Sequence, residues 1–148
     1  MSLEERIAKD LLGAMKARAS DAVSTLRMLK AAIGNAKIQK KINALDDADV
    51  IDVIQKQHKQ RTESIESFEK GGRRELAEKE RKEMAILDAY LPKQLTDGEI
   101  RSIAQSIIAK VGAKTKADTG TVMKTLMPEV KGRADGQRVN QILAQLLP

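Results

Sequence analysis

An all-α protein in two parts is the fold that this sequence predicts, and three observations predict it. Alanine, leucine, isoleucine, lysine and glutamate dominate, whereas aromatic residues make up 1% of the chain, leaving a sheet little of what sheets are built from. Apolar residues recur every three or four positions along several long segments. A proline-centred break, Tyr90-Leu91-Pro92-Lys93-Gln94-Leu95, separates a long first part from a short second one.

The first part, residues 1–95, holds four helical segments and is expected to be an elongated helical hairpin or bundle. Ser2 with Glu5 three residues later has the form of a capping box, opening a helix with Leu3, Ile7, Leu11 and Met15 on one face. Ser20 is placed to cap a second helix carrying Leu26, Leu29, Ile33 and Ala36. The acidic group Asp46-Asp47-Ala48-Asp49 suits the positive end of a third. Its seam runs Ile51, Ile54, His58, Arg61, Ile65, Phe68. Gly71-Gly72 stops that helix, and a fourth follows with Leu76, Met84, Leu87 and Leu91. Helices two and three each span roughly 36 Å at 1.5 Å per residue, a length that favours an extended antiparallel pair.

The second part, residues 96–148, reads as a small three-helix domain. Thr96-Asp97-Gly98-Glu99 is a fresh capping box. The three apolar faces are Ile100, Ile103, Ile107 and Val111; Val122, Leu126 and Val130; and Val139, Ile142, Leu143, Leu146 and Leu147. Residues 131–136 join the last two helices, with Asp135 as N-cap.

Composition narrows the function. There is no cysteine, which removes disulfides and thiolate chemistry and suits a reducing cytosol. The charged N-terminus lacks the apolar core of a signal peptide, and no apolar run reaches the roughly 20 residues that span a bilayer. A cytoplasmic protein without membrane attachment is expected. His58 is the only histidine, so a histidine-rich metal site is impossible and a catalytic triad would rest on it alone. No glycine-rich phosphate loop is present. Glu78, Glu80 and Glu83 alternate with Lys79, Arg81 and Lys82 and read as a solvated face. The residues point to no catalytic site, no metal and no cofactor.

The net charge is +6, and the second part carries half of that excess in about half the length of the first. With almost no aromatics to stack on bases, any RNA bound here is expected to be a folded shape met by Lys, Arg and Asn. Two surfaces stand out. One is the turn at Lys131-Gly132-Arg133, with Arg138 and Asn140 following it and Lys124 on the helix before it. The other gathers Arg27, Lys30, Asn35, Arg61 and Arg73 in the first part. For Arg61 the simplest expectation is a stem packed on the seam and a charged head escaping at its edge.

Several of these segments also carry a resemblance. Thr25-Leu26-Arg27-Met28-Leu29-Lys30-Ala31-Ala32-Ile33 with Asn35 is one; Arg61-Thr62-Glu63-Ser64 through Phe68 and Gly71-Gly72-Arg73 with Leu76 and Glu83 are others. They continue with Tyr90-Leu91-Pro92-Lys93-Gln94-Leu95, Gly120-Thr121-Val122-Met123-Lys124, Lys131-Gly132-Arg133-Ala134-Asp135-Gly136 and Val139-Asn140-Gln141. Taken together the chain resembles the YqeY-like family over essentially its whole length. The resemblance implies a second domain similar to the tail of the B subunit of the glutamine-dependent tRNA amidotransferase, which touches tRNA. Here Asp135-Gly136 stands where that tail has Asn-Pro. A family label of carbon–nitrogen ligase with glutamine as amido donor comes by the same association. The motifs that amidotransfer needs are not in these residues, so any such activity is expected only within a complex. The sequence therefore leads to a non-catalytic tRNA-binding accessory module, with a helical protein–protein adaptor as the alternative and a protein partner docking on the first part.

Overall fold

The computed structural model describes residues 1–148 and contains seven α-helices, one short 3₁₀ turn and no strand. The helices are α1 (Leu3–Ala17), α2 (Ser20–Lys40), α3 (Asp47–Lys70), α4 (Arg74–Asp88), α5 (Asp97–Val111), α6 (Thr119–Val130) and α7 (Gly136–Leu146), with the 3₁₀ turn at Lys116–Asp118. The chain divides into two compact units, Met1–Leu91 and Pro92–Pro148.

Local chemistry sets most helix starts. Ser2 and Glu5 close a reciprocal capping box on α1, and Thr96 and Glu99 close another on α5. Asp46 caps α3 by accepting from the amide of Asp49. The second helix departs from expectation. Ser20 is its first residue rather than its cap; Ala19 holds the cap position and makes no side-chain bond there. Two helices end on residues in the left-handed region without being glycine: Arg18 (φ 55°) after α1 and Lys41 (φ 57°) after α2. Replacing Thr96 with Ala removes a hydroxyl that accepts from the Glu99 amide at 3.2 Å. The expected loss is about 1 kcal/mol of stability, read as a lower denaturant midpoint with unchanged slope.

In the first unit Ile7, Leu11, Leu26, Leu29, Ile33, Leu45, Val50, Ile54, Leu87 and Tyr90 form one buried cluster. The main helix pairings are α1 with α2 and α3 with α4, while α2 touches both α3 and α4 more lightly. The two longest helices are thus not each other's principal partners, contrary to the expected hairpin. Short connections explain this, since a two-residue turn after α1 and Gly71-Gly72 after α3 force neighbours in sequence to pack. Leu76, expected on the core face of α4, is 40% exposed, and Met15 of α1 is 45% exposed. Tyr90 closes the cluster, its hydroxyl donating to Asp10 Oδ2 at 2.5 Å; burial first, then that carboxylate, pushes its ionisation far up.

The second unit is built around Leu95, Ile100, Ala104, Ile107, Val122, Leu126, Val130, Val139, Ile142, Leu143 and Leu147. Its first residues are tied down by one backbone and one side-chain bond: Leu95 N donates to the Arg133 carbonyl at 2.8 Å, and Gln94 Nε2 donates to the Gly132 carbonyl at 2.8 Å. Gly132 is buried at φ 80°, a conformation that a side chain would strain.

Candidate nucleic-acid interface

In the second unit, acids and bases are distributed unequally between helix starts and open surface. Glu99 sits in the α5 capping box, and the backbone amide of Thr96, together with the Thr96 hydroxyl, holds its carboxyl below the usual range. Asp118 accepts from the amides of Lys114 and Thr115, which lower its carboxyl likewise. Asp135 caps α7 by accepting from Gln137 N at 3.2 Å. Asp97, in the first turn of α5, accepts from Arg138 Nε at 2.5 Å. Four of the five acids of residues 96–148 are thereby held at helix starts, where a negative charge complements the macrodipole. By contrast Lys110, Lys116 and Lys124 are exposed and make no ion pair.

The five residues singled out in this unit fall into three places. Val122, Leu126 and Val130 bury one face of α6, and Lys124 lies nearly opposite them at about 100° per residue. Lys131, seven positions on at the C-cap, is exposed and extends the same outer stripe about 10 Å further. Pro128, between them, has no N–H to give the Lys124 carbonyl, so that oxygen lacks its usual helical partner. Arg133 and Arg138 are half-buried near the start of α5, where Arg138 binds Asp97 and the charge of Arg133 reaches Glu99. Asn140 is exposed on the flank of α7 turned away from Arg138, two residues and roughly 200° along the helix. The Gly132 turn that invited close approach of a ligand is occupied by Gln94 and Leu95 of the same unit.

In the first unit Arg27 and Lys30 are exposed three positions apart on α2, and Asn35 and Arg73 are exposed elsewhere. Arg61 does not belong with them. It is 6% exposed, and its head does not reach solvent: Nη1 donates to Glu83 and to Glu80, the latter at 3.0 Å. Nη2 points to Met28 Sδ at 3.8 Å. Glu83 is 5% exposed, which overturns the reading of that stretch of α4 as a solvated face. A buried guanidinium needs such a partner because leaving it unpaired is costly. The signal was present in the spacing: Glu80, Glu83 and Leu87 share one stripe of α4 at steps of three and four. Beside this pair, His58 Nδ1 lies 2.7 Å from Asp88 Oδ1.

No group of three or more His, Cys, Asp and Glu side chains stands together as a metal site, and no helix is long and apolar enough to cross a membrane. The exposed basic groups are a lysine stripe on α6 and the pair Arg27 and Lys30 on α2.

The family model described as Yqey-like protein matches residues 4–147. The chain is also similar to altered inheritance of mitochondria protein 41, mitochondrial, of Pyrenophora tritici-repentis (strain Pt-1C-BFP). Identity is 31% over 150 residues, covering 96% of this chain and 79% of that protein. Since the family match takes in every helix from α1 to α7, the chain belongs to the Yqey-like proteins.

Proposed function

We propose that this protein is a non-catalytic accessory module that binds tRNA through its second unit. One observation carries the reading. Four of the five acids of that unit are held at helix starts, Glu129 of α6 being the exception, while Lys124 and Lys131 form an exposed stripe along α6. A stripe of this kind meets phosphates by charge and reads shape, not sequence. Arg138 holds the α5 start through Asp97, and Arg133 adds positive charge near Glu99. Any role in amidotransfer would be exercised in a complex, the module supplying RNA contact and a partner supplying chemistry.

Gel-shift titration with bulk tRNA at two salt concentrations tests the proposal. The wild type is expected to lose affinity steeply as salt rises. Lys124→Gln with Lys131→Gln should flatten the log–log salt dependence by roughly 1.4–1.8, at about 0.7–0.9 per lost phosphate contact. Failure of the wild type to bind tRNA at low salt would sink the reading.

A second reading, that of a protein adaptor, is favoured by apolar residues left open on the first unit. Leu12 is 61% exposed and Ile38 75%. It predicts weak, salt-indifferent RNA binding and a stably associated protein.

A further inference from the structure

A groove on the first unit takes in Arg27, one of the two basic residues noted on α2, together with residues used by nothing described so far. It is shallow and wide open to solvent, spans about 620 Å³ and is lined by Arg18, Ser20, Val23, Ser24, Arg27 and Met28. Ser20 and Ser24 lie one helical turn apart on α2 and are the shortest of these side chains, so the longer four stand around them. Neither Arg18 nor Arg27 forms an ion pair, although Arg6, Arg61, Arg81 and Arg138 all do. Asp21, one residue from the groove, is exposed and outside its lining.

The wall is held from behind. Met28 receives Gln57 Nε2 on its carbonyl at 3.4 Å, and its sulfur lies 3.8 Å from Arg61 Nη2. Arg61 is in turn fixed by Glu83 and Glu80. The groove side of α2 is therefore anchored on α3 and α4, which lowers the cost of ordering it around a ligand.

The geometry points to a binding site for a phosphate group, gripped between the Arg18 and Arg27 guanidiniums with the Ser20 and Ser24 hydroxyls donating to its oxygens. Guanidinium forks match phosphate oxygens in pairs, which a lysine does not. Val23 and Met28 supply the apolar wall that a sugar or base attached to that phosphate would cover. The phosphate is carried either by an RNA backbone or by a small phosphate ester. The first source rests on the tRNA reading; the site itself does not.

The experiment has two arms. In the first, inorganic phosphate is titrated into the isotopically labelled full chain and followed by NMR, with chloride at matched ionic strength as reference. Saturable shifts are expected at the Ser20 and Ser24 amides and the Arg18 and Arg27 Nε groups, and Arg18→Gln with Arg27→Gln should weaken them at least tenfold. Both side chains are solvent-exposed, so an unchanged spectrum for α3 and α4 verifies that the double variant is folded. Shifts no larger than those with chloride, or unaffected by the double variant, would overturn the site whatever tRNA does. In the second arm, a salt slope for tRNA flattened by roughly 1.4–1.8 in the double variant assigns the phosphate to RNA. An unchanged slope with phosphate binding intact assigns it to a small ester.

Discussion

Replacing Arg61 with Ala is expected to destabilise the first unit by about 3–5 kcal/mol, the cost of leaving a buried partner charge uncompensated. The substitution strands Glu83, 5% exposed, and removes the donor to Glu80 as well. It also frees Met28 from its contact with Nη2. For a unit of this size the thermal midpoint should fall by more than about 10 °C. A double replacement, Arg61→Met with Glu83→Leu, is expected to recover most of that loss. Burial of the pair is itself unfavourable, and Arg61 Nε has no hydrogen-bond partner. Calorimetry of the three proteins distinguishes a paired charge from a passive one. A single variant within 1 kcal/mol of wild type would show that Arg61 packs merely through its stem.

Leu126→Ala is the second large effect, at about 2–5 kcal/mol. Leu126 is fully buried on α6 among Ile100, Ile107, Val122, Val139 and Leu143. A unit of 57 residues has little stability to spare. Hydrogen exchange should therefore show protection collapsing across α5, α6 and α7 while amides of α1–α4 keep theirs. Uniform loss over both units, or none, would contradict a cavity confined to this core. The lysine stripe provides the functional control: tRNA affinity should fall with this variant although Lys124 and Lys131 are untouched, because the helix that aligns them is no longer held.

What was legible in the sequence was what a few neighbouring residues decide. The Ser2–Glu5 and Thr96–Glu99 boxes are closed within four residues, and both form as their spacing implies. Lys124 and Lys131 share a stripe because seven positions make two helical turns, which any reader of the sequence can count. Ser20 failed as a cap because the turn at Arg18 and Ala19 starts the helix at Ser20, leaving its side chain inside the first turn. Leu76 failed as a core residue because the face of α4 that is buried depends on how α3 meets it, and that face centres on Ala77, Glu83 and Leu87. Arg133 and Arg138 looked as available as Lys131 until Asp97, 41 residues from Arg138, came alongside. Glu83 is the most instructive. Its local stretch of charged residues looks solvated, yet its carboxylate is buried against the Arg61 guanidinium, so only the seam position of Arg61 hinted at where it would go.

The left-handed residues that end α1 and α2 have an evolutionary implication. At φ 55° and 57°, Arg18 and Lys41 hold a backbone shape that glycine adopts without steric penalty. An ordinary side chain there costs roughly 1–2 kcal/mol, and glycine would give part of that back through its looser unfolded chain. The balance favours glycine by up to about 1 kcal/mol. Residue identity at these corners therefore costs folding little, and mutation can add or delete a long cationic arm while the bundle stays put. Position 18 is a place where recognition is able to drift independently of architecture.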